Sequence, residues 1–417
     1  MGGGGVQRWL KHVKYIRNFG WEPIIYTAKN PETGLYDESL LADIPVGIET
    51  IKGEIFEPYN FYKILLGKKK NEKVYSGFIQ DKKPSFSQKL SMWIRSNVFI
   101  PDARMFWIKP SVKLLSKYLK NNHVDAMVST GPPHTTHLIA LKLKQKFGIK
   151  WLADFRDPWT QIDYFHQLDL TNWAEKKHKT LEQKVIQSAD QCVTVSWSWA
   201  NDFEKISGKK FKVVTNGYDP DDFKEKDNFK ISEKFTITHI GSLNSDRNPF
   251  SFWEALANLK NEISGFENHL EVIQLGPVDS QVLESVKSYG LEKNYKQLKG
   301  APHKEALELM MKSQILLLPL NDTPNIGGVV PGKLYEYLGA NRPIIAIGKP
   351  DADSGKILKM TNAGKISDFG DVSGAQESVY YYYQAFLKGK LEAETKNIEQ
   401  FSRKNGIKQI LEIIESI

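Results

Sequence analysis

Apolar runs of four to seven residues recur through the first half of the chain: Glu22–Thr27, Val124–Thr130, Trp151–Phe155, Cys192–Ser196 and Lys212–Thr215. Runs this short and this rich in β-branched residues predict strands. Between them, Val6–Phe19, Thr135–Phe147 and Trp173–Ser188 repeat their apolar positions at the helical period. Alternation of strand and helix predicts a parallel sheet covered on both faces. The turn-rich stretch Asn216-Gly217-Tyr218-Asp219-Pro220 then interrupts the pattern. It restarts with Phe235–Ile240, Leu270–Leu275, Ile315–Leu320 and Arg342–Ile347, again separated by helical stretches. The expected architecture is α/β, with two tandem doubly wound Rossmann-like domains at 1–215 and 216–417. Ligands of such sheets sit outside the carboxyl ends of the strands, so the crevice between the domains is the expected active site.

Residues 55–110 fit this alternation poorly and read as an insertion on the first domain. Their aromatics Trp93, Phe99, Phe106 and Trp107 stand near basic residues. Two readings are open: they pack the insertion onto its own domain, or they dock at a membrane interface. The run Tyr380–Tyr383 is expected to serve helix packing.

Composition narrows the class. With 41% hydrophobic and 25% charged residues the chain is neither disordered nor fibrous. A single cysteine, Cys192, excludes a disulfide framework and a cysteine-built zinc site, and fits a reducing compartment. No apolar stretch reaches membrane-spanning length, so a cytoplasmic location is expected. Residues 1–215 hold 33 Lys and Arg against 21 Asp and Glu, whereas residues 216–417 hold 24 against 28. The basic surplus of the first half suits either a solvated surface or contact with an anionic membrane face. Nucleic acid is not an expected partner.

The glycines Gly2, Gly3, Gly4 and Gly5 run directly into the helical pattern Val6–Phe19, where backbone N–H groups can approach a phosphate or a sugar. Such a loop ordinarily follows a strand, and none precedes it here. The first domain is therefore expected to lack its first strand, as if the chain started about ten residues late. In the second domain, Asn325–Gly332 carries Gly327 and Gly328 and leads into a helix with Lys333 and Glu336 near its start. This reads as a diphosphate cradle in which Lys333 adds charge to the helix dipole and Glu336 accepts sugar hydroxyls. The alternative is a capped surface helix with an acidic first turn. Gly241 to Arg247 follows the strand Phe235–Ile240, so Arg247 shares that sheet edge and can make a bidentate phosphate contact.

In the first domain, Ser129–His137 places His134 and His137 between a strand and a helix. Each is either a sugar-hydroxyl or proton-transfer group or part of a polar helix start. Asp154–Trp159 ends another strand; Asp157 is a candidate base toward the acceptor, unless an Arg156–Asp pair only holds the loop. No Gly-x4-Gly-Lys-Ser/Thr, His-Glu-x2-His or Gly-x-Ser-x-Gly motif occurs, which demotes P-loop ATP use, zinc proteolysis and hydrolase-type acyl transfer.

In this order the segments resemble family-4 (group 1) glycosyltransferases of the two-domain GT-B fold, in particular the bacterial branch that builds cell-surface polysaccharide. The markers are Gly2–Arg8, Asp154–Trp159, Asn216-Gly217 with Asp219, Ile240–Arg247, and Pro331–Gly339 followed by Arg342-Pro343. The resemblance implies a retaining, metal-independent transferase. Its nucleotide sugar is a substrate rather than a cofactor, and its acceptor is a glycan or a lipid-linked molecule. It implies that Arg247 meets the donor diphosphate, Glu336 the ribose hydroxyls and His134 the transferred sugar; with Asp157 and Lys333 from the reading of the residues, His134, Asp157, Arg247 and Lys333 form the expected catalytic set. Two positions depart from the pattern: Gly328 stands where the first of two glutamates is expected, and Ser242 where an arginine is usual. A nucleotide-sugar epimerase of the same fold and a catalytically degenerate nucleotide-sugar-binding protein remain as alternatives.

Overall fold

The computed structural model describes residues 4–31, 38–56, 86–162, 165–225, 229–323 and 326–417. It divides into two compact units, Met1–Thr215 with Gly406–Ile417, and Asn216–Asn405.

The first unit carries two parallel sheets. β1 (Ile24–Ala28) pairs with β2 (Glu49–Gly53), and β3 (Ala126–Gly131), β4 (Lys150–Phe155), β5 (Gln191–Thr194) and β6 (Lys212–Val213) follow in chain order. The run at Glu22–Thr27 is thus a strand, but it lies in a separate pair and not in the sheet of the other four. β4 is the apolar centre of that sheet, and Trp151, Leu152, Ala153 and Phe155 are fully buried. The helix Thr135–Phe147 packs on β3 and on the helix Ile108–Leu119.

The aromatics of the stretch 55–110 divide between buried and exposed positions. Trp107 is buried and stacks on Tyr26 at 5.2 Å, whereas Trp93 on the helix Phe86–Asn97 and Phe106 stay 40% and 44% exposed. Residues 57–85 lie outside the described residues.

The second unit is a single six-stranded parallel sheet. Its strands are β7 (Phe235–Ile240), β8 (Leu270–Leu275), β9 (Tyr295–Leu298), β10 (Ile315–Pro319), β11 (Ile344–Ile347) and β12 (Gly364–Ser367). Their order is β12-β11-β10-β7-β8-β9, so it reverses between β7 and β10. A core of Phe235, Phe252, Trp253, Leu317, Ile345 and Tyr383 fills one face. The tyrosine run splits by helix face: Tyr382 and Tyr383 are buried, Tyr380 and Tyr381 exposed.

The expected second domain running to 417 needs correction. Residues 406–417 belong to the first unit, because Ile407, Ile410, Leu411 and Ile414 make an apolar stripe at helical spacing. That stripe packs on Tyr15, Leu152, Val193 and Val214.

Candidate functional site

In the second unit the chemistry gathers at the carboxyl end of β7. The strand gives way to Gly241 in the left-handed region at φ 110°, and β8 ends likewise at Gly276 with φ 123°. The two turns lie close together, since a Cβ on Gly276 would stand 2.7 Å from the Gly241 carbonyl oxygen. Gln274 Nε2 donates to that same oxygen at 2.6 Å. The helix Gly332–Ala340 starts with Pro331 in the cap position, with no side-chain cap and no acidic residue in its first turn. The capped helix with an acidic first turn is therefore not what forms. Leu334 N–H bonds the Pro331 carbonyl oxygen at 3.0 Å, and no side chain caps the helix start, where the peptide dipole favours an anion.

Lys333 leans from that helix over Gly241, where a Cβ would meet its Nζ at 2.5 Å. Arg247 sits in the short turn Ser245–Arg247, and its Nε donates to Asn321 Oδ1 beyond β10 at 2.6 Å. Burial lowers the pKa of Lys333, and the nearby Arg247 charge lowers it further, partly offset by Glu336. Burial also lowers that of Arg247. Two half-buried cations this close repel, so an anion between them is favoured by both. His239 beneath them is buried and neutral, its pKa lowered to about 3 by burial and then by Lys333.

Glu336, further along the helix, has its pKa raised by burial, against the pull of His303 and Lys333. His303 Nε2 lies 3.7 Å from Asp222 Oδ2, so Glu336 belongs to a mixed cluster with both. Gly327 and Gly328 form the short turn Ile326–Gly328, which packs on the helix Asp353–Thr361. Neither glycine has a described contact with Arg247 or Lys333.

In the first unit the loops after β3 and β4 carry the site. His134 is buried, and its ring stacks on Trp159 with centroids 4.5 Å apart and planes 7° from parallel. Burial holds its pKa well below the usual histidine range, and His137 and Arg156 add to this. His137 is a second buried neutral ring, at about pKa 3. Its Nδ1 meets Ser129 Oγ at 2.8 Å, and Trp151 Nε1 donates to the same hydroxyl. Gly131 must be glycine, because a Cβ there would lie 2.6 Å from His137 Nε2 and 2.9 Å from His134 Nδ1.

Arg156 donates to the Pro132 carbonyl oxygen, and its guanidinium fills the space that a Cβ on Gly5 would take, so a side chain there would displace it. Its Nε stands 3.7 Å from Asp157 Oδ2, so the loop-holding ion pair is present, and Asp157 is 43% exposed. Gly4 opens the helix Gly4–Ile16, while Gly3 lies outside the described residues.

Other residues escaped the sequence reading. Asp154 is fully buried and accepts hydrogen bonds from Arg8 Nε at 3.2 Å, Trp9 Nε1 at 2.7 Å and Thr130 Oγ1 at 2.9 Å. Arg8 also donates to the carbonyl oxygens of Val214 and Thr215. Asp154, Arg8 and Trp9 therefore pin the first helix to the sheet. Trp159 Nε1 donates to His178 Nδ1 at 3.0 Å, and Thr160 donates through Oγ1 and N to Glu182. The i, i+4 spacing of His178 and Glu182 put both on one helix face, which was the available signal.

The architecture that emerges is the GT-B type, two Rossmann-like units built on parallel sheets. Among solved structures, the chain is similar to a glycosyltransferase from Rickettsia africae at 15% identity and TM-score 0.61, covering 100% of this chain and 96% of that one. It is similar to sucrose-phosphate synthase from Thermosynechococcus elongatus at 11% identity and TM-score 0.59, covering 100% and 94%. Anabaena HepE, solved with UDP and glucose, matches at 12% identity and TM-score 0.58 over 100% and 96%. No family model and no curated protein matches the sequence.

Proposed function

We propose that the protein is a retaining glycosyltransferase that moves a sugar from a nucleotide-sugar donor, bound by the second unit, to a lipid-linked or polysaccharide acceptor in cell-surface glycan synthesis. The observation that carries this reading is the meeting of Arg247 and Lys333 with an uncapped helix N-terminus at the point where the strand order reverses. That is where an open α/β sheet binds its ligand, and its charge suits a diphosphate. HepE, a protein of similar fold solved with UDP and glucose, supports a nucleoside diphosphate as the ligand class.

Breaking the bond from sugar to diphosphate builds negative charge on the leaving group. Fixed cations and N–H donors stabilise that charge as it grows. Arg247 and Lys333 supply that stabilising positive charge from the protein, the part that a metal ion would otherwise play. In a retaining reaction the departing phosphate itself accepts the acceptor's proton, and Asp157 and His134 are left to position the acceptor and the sugar.

A cytoplasmic enzyme with a basic first unit would meet its acceptor at an anionic inner membrane face, with Trp93 and Phe106 available at the interface. Among the described residues no helix is long and apolar enough to cross a membrane.

Gly328, which stands where a glutamate is expected, favours a second reading as a binding protein without turnover. A panel of nucleotide sugars screened by thermal shift tests the donor site, since a ligand at 100 times its Kd stabilises by about 2.7 kcal/mol. Incubating the hit with acceptor extracts and assaying transfer then separates the readings. Binding without transfer selects the second, and no binding across the panel overturns both.

A further inference from the structure

β7 and β10 stop pairing before either strand ends. Their register holds only Ile237 against Ile315 and Thr238 against Leu316. Yet β7 continues against β8 to Ile240, and β10 against β11 to Pro319. The two strands therefore part at their carboxyl ends, at the place where the sheet order reverses.

Backbone groups freed in this way inside a protein need other partners. Two side chains provide them. His239 Nδ1 donates to the Leu317 carbonyl oxygen at 3.0 Å, its tautomer set by an acceptor-only partner. The Tyr337 hydroxyl accepts from Ile240 N at 3.1 Å and donates to the same Leu317 oxygen at 3.3 Å. Both side chains are buried, so no water competes for these bonds.

Tyr337 also stands one turn after Lys333 on the helix Gly332–Ala340, and residues four apart share a helix face. The matching pair on the strand is Ile240, gripped by the tyrosine, and Gly241, covered by the lysine. One bond thus sets the height of the helix against the strand end, and the cation above it inherits that height. His239 fills the remainder of the gap without adding a third positive charge under Arg247 and Lys333.

We infer that Tyr337 and His239 are positioning residues of the diphosphate site: a hydrogen-bonded wedge between β7 and β10 that holds the switch point open and fixes Lys333 over Gly241. The wedge recognises no ligand itself. It acts through the lysine, so its effect falls on phosphate binding. This rests on the donor-site reading above, which the test checks separately.

The probe is inorganic pyrophosphate, which carries the charge of the leaving group without any choice of base, with UDP as a second titrant. Calorimetry is run on the full chain as wild type, Tyr337→Phe, His239→Gln, Lys333→Ala and the Lys333→Ala/Tyr337→Phe double variant. Tyr337→Phe keeps the ring and removes only the hydroxyl, so about a tenfold weaker pyrophosphate affinity is expected. His239→Gln should weaken it in the same direction. In the Lys333→Ala background Tyr337→Phe should cost little more, because its effect passes through the missing ammonium.

Unchanged pyrophosphate affinity in both single variants overturns the wedge, even if their melting temperatures fall. A tenfold loss that persists undiminished in the Lys333→Ala background overturns it too, since the tyrosine would then act independently of the lysine. If Tyr337→Phe does not fold, His239→Gln with and without Lys333→Ala is read by the same criteria. Failure of the wild type to bind either pyrophosphate or UDP overturns the donor-site reading, and the inference with it.

Discussion

Lys333 covers Gly241: the ammonium occupies space in which a Cβ at position 241 would come to 2.5 Å, and the glycine backbone beneath it is at φ 110°. The turn after β7 and the first turn of the helix Gly332–Ala340 are therefore shaped against each other. A Cβ at position 241 would push the end of the lysine side chain aside.

Gly241→Ala should strain the turn and displace the lysine together. A non-glycine residue held at positive φ costs on the order of 1–2 kcal/mol. The expected result is a lower denaturation midpoint with weaker nucleoside diphosphate binding, followed by urea unfolding and calorimetry. Full affinity with a lowered midpoint would mean that the lysine takes no part in binding.

Arg247→Ala and Lys333→Ala should each weaken diphosphate binding and reduce turnover by a factor of about 100, the usual cost of one preorganised contact to developing charge. Steady-state kinetics with the donor found in the nucleotide-sugar panel would show it. Wild-type kinetics in both variants would remove the proposed site.

Asp154→Ala should be severe for a different reason. It leaves Arg8 charged and fully buried without its carboxylate, and breaking a buried pair in this way costs about 3–5 kcal/mol. Replacing both residues with apolar ones, Arg8→Met with Asp154→Leu, should cost less than the single change. Chemical denaturation of the two variants decides between them, and equal losses would count against an electrostatic origin.

Acid should destabilise the fold well above the carboxylate range. His137 and His239 have pKa values lowered to about 3 by burial, whereas in the unfolded chain they titrate near 6.5. For a depressed folded pKa, stability is complete above the unfolded value and is lost as pH falls toward the folded one. At pH 5 the loss is about 2 kcal/mol per histidine, from one and a half pH units at 1.36 kcal/mol each. Urea unfolding at pH 7.5 and pH 5 should show it, and His137→Gln should reduce the difference. A flat profile between these values would contradict the burial of both rings.

The central strands were legible because burial on both faces leaves a continuous apolar run, as in Ile315–Leu320, or a run broken by one buried charge, as at Asp154 in Trp151–Phe155. The edge strands β1, β3 and β6 kept enough apolar residues to be read, but three other edge strands did not. β2 reads ETIKG, β9 YKQL and β12 GKIS, and each has a partner on only one side, so polar residues are tolerated and no apolar run appears.

Site residues followed a similar division. Arg247 and Lys333 were nameable because each follows a strand or opens a helix at the sheet edge. The anchor of Trp159 to His178 was not, since a histidine and a glutamate on a charged helix look like a solvated face until the loop they hold is placed. Arg8 read as part of a loop marker, whereas its structural task is to neutralise a buried aspartate 146 positions away.

The return of residues 406–417 to the first unit makes the second unit a guest nested inside the host that surrounds it in sequence. On the ribosome, the host's first 215 residues emerge with Tyr15, Leu152, Val193 and Val214 still bare. They wait while all of 216–405 is synthesised before the sealing helix arrives. A dissected host should accordingly be made by splicing residue 215 to residue 406, and a fragment cut off at 215 should aggregate.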